Sequence, residues 1–226
     1  MKTVSANMLV GNFDEPYLYH ALKSINWVDE VVIIYNNASK ENIQRINDWR
    51  IGYNGQFTSA DYYKVYREFN FADARNLAKE VSSSDYLLKI DADELYYNSF
   101  ETTIRSLSFD MDMYLVYFYH LFYSMEHYRF IEPKEVLFAN KPEIRWDYKV
   151  HERIIGVKSY DQLDDCFIHY GYLKSNEAIL DKWRLYAKLE GEPDRYDNID
   201  VTTIIDGVEV KPFNKSHPEA LQIKYV

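Results

Sequence analysis

The chain is poor in the residues that build unusual architectures. Its 226 residues include one cysteine, seven glycines and six prolines. A single Cys166 excludes an intramolecular disulfide framework and a multi-cysteine zinc site. It fits a reducing, cytoplasmic setting. The scarcity of glycine and proline excludes a collagenous or low-complexity chain. No apolar run approaches the ~20 residues that cross a bilayer, so no transmembrane segment is expected. The longest aromatic stretch, residues 113–123, is interrupted by His120. The start lacks a basic segment followed by an apolar signal core. Basic residues are also outnumbered, 26 against 36 acidic, giving a formal net charge of −10. A general nucleic-acid binder would need a basic face, so no nucleic-acid partner is expected. Tyrosine is abundant, at 22 residues, and reconciles a 47% hydrophobic content with a mean hydropathy of −0.46. The length suits one large domain.

The first half alternates two kinds of pattern. Val4–Val10 reads as a strand, and Leu18, Ala21, Leu22 and Ile25 then recur at helical spacing. Residues 31–35 form a short continuous apolar run, suited to a buried parallel strand. Ser39 is a candidate N-cap for a helix bearing Ile43, Ile46 and Trp49. Residues 62–66 are the third strand candidate. Ala74, Leu77, Ala78 and Val81 mark the next helix face, and residues 86–90 the fourth strand. Asn98 with Glu101 reads as a capping box. This βαβαβαβα order predicts a mostly parallel sheet flanked by helices. Beyond residue 110, residues 114–123 and 135–139 read as strands with no helix between them. Ser175 is the expected cap of a last long helix.

The sharpest local feature is Tyr86-Leu87-Leu88-Lys89-Ile90-Asp91-Ala92-Asp93-Glu94, an apolar strand running into three acids. Ligands of open α/β sheets bind beyond the carboxyl ends of strands. Paired oxygen ligands there suit Mg²⁺ or Mn²⁺ with a phosphate completing the shell. A solvated acidic turn is the competing reading. Asp110-Met111-Asp112 has the same spelling but precedes a strand, which puts it at the opposite sheet edge. Asp164-Asp165 also precedes a strand-like run, residues 166–170, and reads as a turn.

These segments resemble, in order, those of GT-A glycosyltransferases of the family 2 type. The match covers residues 3–190. It runs through Ser5 to Glu15, the strand from Val28 to Tyr35, Phe71-Ala72-Asp73-Ala74-Arg75-Asn76, the Asp85 to Glu94 segment, Val150-His151-Glu152, and Ile168-His169-Tyr170-Gly171-Tyr172. The resemblance implies an α/β GT-A (Rossmann-like) fold, with a mostly parallel central sheet flanked by helices and a smaller acceptor-side extension. Residues 1–190 would form one domain, with 1–110 binding the nucleotide sugar, 111–190 facing the acceptor and 191–226 a C-terminal tail.

The resemblance also implies a metal-dependent transfer of a sugar from a nucleotide-diphosphate donor to an acceptor hydroxyl, with inversion. Asp91, Asp93 and His169 would hold Mn²⁺ or Mg²⁺, with Asp91 also near the ribose. Arg75 would face the donor, and Glu152 and Asp93 would carry the chemistry. Glu94 is a second candidate base. Asn36 and Asn37 stand where the family carries acids that contact the base, so a UDP- or GDP-sugar fits equally at this level. Tyr35 and Phe13 are candidates to stack on the base. The acceptor would be a glycan, lipid or protein, and the enzyme itself cytoplasmic or peripheral to a membrane. Because Asp91 and Asp93 would repel a diphosphate, a divalent cation is expected to be required. Two other readings remain: a metal-dependent phosphohydrolase, and a binding module of the same fold without turnover.

Overall fold

The computed structural model describes residues 2–197, 199 and 208–223. Strand β1 (Val4–Val10) and strand β2 (Glu30–Tyr35) pair in parallel, and β3 (Gln56–Asp61) joins β2 in the same sense. Strand β4 (Tyr86–Lys89) lies parallel on the other side of β1. Alternating residues of β2 face opposite ways. Val31 and Ile33 pack with helix α1 (Leu18–Ser24) and helix α2 (Lys40–Arg50), whereas Val32 and Ile34 pack with Ala74, Leu77 and Ala78 of helix α3 (Phe71–Val81). Helices thus cover both faces of the parallel strands.

The second half extends this sheet. Strands β5 (Glu94–Tyr96), β6 (Met113–Phe122), β7 (Ser124–Ala139) and β10 (Tyr160–Tyr172) complete the order β3-β2-β1-β4-β7-β6-β10-β5. Strand β7 is antiparallel to both β4 and β6, while β6 and β10 run parallel. Helix α4 (Ser99–Arg105) follows β5, and a small hairpin of β8 (Arg145–Asp147) and β9 (Arg153–Ile155) precedes β10. Helix α5 (Asn176–Leu189) comes last, its Ser175 side chain accepting from the Ala178 N–H. The short strand β11 (Lys211–Pro212) adds to β7. Residues 198, 200–207 and 224–226 of the expected tail lie outside the described residues. Among the described residues, no helix is long and apolar enough to cross a membrane.

Three local expectations change. The third strand is 56–61, not 62–66. Its Gln, Thr, Ser and Asp carry no apolar signal, whereas the buried Tyr62 begins a 3₁₀ turn and donates to the Glu68 carbonyl. Asn98 makes no side-chain cap; its own N–H donates to Glu219 of the tail. Asp164 and Asp165 lie inside β10, where the pairing with β6 shifts register between Gln162 and Cys166.

One buried carboxylate ties the parallel strands together. Glu30, 1% exposed, accepts from the hydroxyls of Ser5 and Thr58, from Gln56, and from the Ser83 N–H at 2.8 Å. Its removal would orphan donors on β1, β3 and the loop after α3. Glu30→Ala is expected to cost about 3 kcal/mol. In urea unfolding this should lower the midpoint with little change in slope.

Candidate active site

A cleft of about 770 Å³ opens beyond the carboxyl ends of β1, β2 and β4. Its first wall is the loop after β1. Asn42, fully buried in the first turn of α2, donates to the carbonyls of Gly11 and Phe13 and accepts from the Glu15 N–H. Ser39 caps that helix by accepting from the Asn42 N–H at 3.1 Å. Phe13 and Asn36 line the cleft, while Tyr35 and Asn37 are not among its lining residues. Asn37 is exposed, with a left-handed φ of 52°.

Arg75 enters from the first turns of α3, whose N-cap Asn70 accepts from the Ala72 N–H at 2.9 Å. The guanidinium is 4% exposed. Its Nη2 donates to Asp91 and its Nε to Glu152 at 3.2 Å, while Nη1 is buried with no hydrogen-bond partner among the described residues. Asn76, next in sequence, exchanges two hydrogen bonds with the Trp146 backbone, at 3.0 and 2.9 Å. That pair docks the β8–β9 hairpin, and with it Glu152, onto α3.

Lys89 and Asp91, two apart at the end of β4, both line the cleft. The Lys89 ammonium lies 3.6 Å from Glu152 and 5.1 Å from the Trp146 ring centre. Burial lowers its pKa, and Lys134 reinforces the shift. Lys134, from β7, bonds Asp91 at 3.1 Å and also pairs with Glu94. Burial by itself would raise the Asp91 pKa, but Lys134, Arg75 and Lys89 hold it well below its usual value. The same balance lowers Glu152, where burial is outweighed by Lys89 and Arg75. Glu94 is fully buried and accepts from the Asp91 N–H at 3.0 Å, closing the turn.

Asp93 sits in a second cluster. Its Oδ1 lies 3.4 Å from His169 Nε2, and its Oδ2 lies 3.6 Å from Lys174 and 3.8 Å from Lys182. Lys182, His169 and Lys174 together outweigh burial and keep Asp93 ionised. Lys174 also pairs with Glu15, whose pKa burial and then Asp93 push upward. A Cβ on Gly171 would come within 2.5 Å of His169 Nε2 and 2.7 Å of Asp93 Oδ2. The missing side chain therefore lets those two groups pack directly against the Gly171 backbone. Behind His169 stands His120 of β6, with the two Nδ1 atoms 3.0 Å apart. Burial, then His169, pushes the His120 pKa down to about 2, so the ring is neutral.

Arg75, Asp91, Asp93 and Glu152 thus line one cleft, while His169, which is not among its lining residues, stands against Asp93. They divide into an Arg75–Asp91–Glu152 network and an Asp93–His169 pair. Among the described residues, no three His, Cys, Asp or Glu side chains converge as a ligand group. Asp91 turns its oxygens to Arg75 and Lys134 instead. Every acid of the two clusters already has a cationic or imidazole partner, so charge repulsion alone does not make a divalent cation necessary. Asp112 pairs with Lys141 and accepts from the Lys158 N–H, far from this cleft in the fold. Sequence reasoning missed Lys89, Lys134, Lys174, Lys182 and His120. Lys89 and His120 were visible as polar interruptions of apolar runs; the other three lysines carried no such mark.

No family model matches the chain, and no curated protein does. Solved structures do match. Staphylococcus aureus TarS 1–349 in complex with UDP-GlcNAc superposes with a TM-score of 0.58 at 13% identity, over 89% of this chain and 69% of that one. TarS 1–349 alone gives 0.54 at 12% identity, over 89% and 68%. The chain has the GT-A fold. Against the longer TarS chain the TM-score is again 0.54, with 41% of that chain covered. The shared GT-A sheet accounts for the position of the cleft, at the carboxyl ends of the parallel strands.

Proposed function

We propose that this GT-A chain transfers a sugar from a nucleoside-diphosphate sugar to a hydroxyl of a glycan, lipid or protein acceptor, with Mg²⁺ or Mn²⁺ as cofactor and with inversion. The observation that carries this reading is the buried Arg75, whose Nη1 has no partner inside the cleft among the described residues. An unpaired buried guanidinium N–H is costly, and a donor oxygen would satisfy it. TarS was solved with UDP-GlcNAc, which makes UDP-sugars the first donors to test.

The Asp93–His169 pair fits a divalent cation. It offers one oxygen and one nitrogen 3.4 Å apart, packed against Gly171, with Lys174 and Lys182 beside it. Cations of this kind commonly take one or two carboxylates and complete their shell with substrate phosphates and water. A bound cation would supply Lewis-acid stabilisation to the leaving diphosphate. Lys174 and Lys182 would transfer part of their charge from Asp93 to the phosphates, and Arg75 would donate through Nη1. Glu152, held as a carboxylate, would take the acceptor hydroxyl proton while that oxygen attacks the anomeric carbon. The bond from that carbon to the diphosphate breaks as the new one forms, which inverts the centre.

A thermal-shift screen with UDP and GDP, each with and without Mn²⁺, tests the reading first, because stabilisation tracks occupancy. The expected hit is a nucleoside diphosphate whose effect grows with Mn²⁺. No shift with any nucleotide, together with no nucleoside diphosphate released from any donor, would remove the proposal. Gly171→Ala should force His169 or Asp93 aside and weaken the Mn²⁺ effect by about 10-fold or more. The nucleotide-only shift should be largely kept.

A further inference from the structure

Strand β6 carries a second row of aromatic residues that the cleft does not use. Successive residues of a strand face opposite ways. Phe118 lines the cleft, whereas Tyr117 and Tyr119 line a cavity of about 530 Å³ on the other face of the sheet. That volume is typical of small-ligand sites, roughly 300–1,000 Å³. Strand β6 is interior, between β7 and β10. Tyr117 is nevertheless 43% exposed, and Ile131 of β7, opposite Tyr119, is 41% exposed. Apolar groups clustered in the open on an interior strand mark a surface kept free for a ligand.

The walls of the cavity are held in place. On one side Thr103 of α4 donates to Asp165 at 2.7 Å. On the other, Tyr97 donates to the Ser216 carbonyl at 2.6 Å, and the buried Phe213 meets the Tyr119 ring edge to face at 5.3 Å. These contacts bring Lys215 to 5.2 Å from the Tyr119 ring centre. In a regular strand Asp164 and Asp165 would face opposite ways. The register shift in β10 between Gln162 and Cys166 lets both line the cavity.

We propose that this cavity binds a neutral glycan, with sugar rings laid on Tyr117 and Tyr119 and hydroxyls bonded to Asp164, Asp165 and Lys215. An aromatic face takes the C–H face of a sugar ring, and polar groups at the rim take the hydroxyls around its edge. A purely apolar occupant would bury two carboxylates and an ammonium without partners. Two carboxylates against one ammonium leave the rim negative, which disfavours phosphates and other anions. Among the described residues the cavity shares none with the cleft, so the inference stands apart from the transfer reading.

The test screens the full chain by saturation-transfer NMR against neutral tetrasaccharides of glucose, N-acetylglucosamine, mannose and galactose. A heparin tetrasaccharide is the anionic control. At least one neutral tetrasaccharide should bind. Tyr117→Ala should weaken that binding about 10-fold, the usual loss when a central aromatic anchor is truncated. Tyr117→Phe should keep it, and so should Asp93→Asn in the cleft. If Tyr117→Ala fails to fold, Asp164→Ala at the exposed rim should show a loss of about 5-fold. No binding to any of the four, unchanged binding in Tyr117→Ala, or preference for heparin would overturn the site and leave the proposed transfer standing. A wild-type dimer that Tyr117→Ala separates in sedimentation would put a second copy on this face and also overturn it.

Discussion

Asp93→Asn is expected to abolish nearly all sugar transfer while leaving the protein folded. The amide keeps the shape of the side chain, its backbone carbonyl still accepts from the Tyr170 N–H at 2.8 Å, and the turn is otherwise unchanged. What disappears is the charge that faces His169, Lys174 and Lys182. Loss of one preorganised group that stabilises developing charge commonly costs about 10²–10³ in rate, and loss of the cation would add to it. Transfer should be followed as nucleoside diphosphate released from the donor found in the thermal screen. Asp91→Asn makes the informative contrast. Asp91 faces Arg75 and Lys134, so its amide should lower transfer yet keep the Mn²⁺ response that Asp93→Asn loses. Full transfer in purified Asp93→Asn would sink the assignment of the Asp93–His169 pair.

Arg75→Ala should have a large effect on stability, comparable to that of Glu30→Ala. One guanidinium joins Asp91 on the β4 loop to Glu152 in the loop of the β8–β9 hairpin, and both carboxylates lose that partner together. Breaking a buried ion pair from one side costs about 3–5 kcal/mol. The lower end applies, because the Asp91 side chain keeps 33% exposure. For a chain of this size, about 3 kcal/mol corresponds to a melting shift of roughly 6–12 °C. Arg75→Lys should not restore it, since Nε and Nη2 reach two different carboxylates and a single ammonium cannot reproduce that fork. Scanning calorimetry reads the shift, and a variant melting with the wild type would refute the network's structural role.

Strand β2 was legible because burial on both faces demands a continuous apolar run, as in residues 31–35, and β1 because its apolar residues recur around Ser5 and Asn7. Helices α2 and α5 were legible at their starts, where Ser39 and Ser175 cap as their position suggests. Strand β3 was not, because an edge strand held by hydrogen bonds to β2 needs no apolar alternation. The acidic segment and its arginine were readable as motif. The lysines that neutralise those acids were not, because Lys134, Lys174 and Lys182 reach the cleft only through the pairing of β7 with β4 and the approach of α5. That long-range arrangement supplies positive charge that the acids alone do not reveal.

The order of strands in the sheet also bears on how the chain folds. Strand β4 is bounded by β1 on one side and on the other by β7, whose pairing residues 137–139 come about fifty positions later. Strand β5 waits still longer, for residues 167–169 of β10. The first 110 residues are therefore not a unit that can close by itself. Until β7 arrives, the edge of β4 offers Leu87 and Leu88, both fully buried in the finished sheet, to any other strand. Such late pairings slow folding. A nascent chain of this protein must stay unaggregated until its middle third has been made, and a fragment ending near residue 110 should collect in the insoluble fraction when expressed.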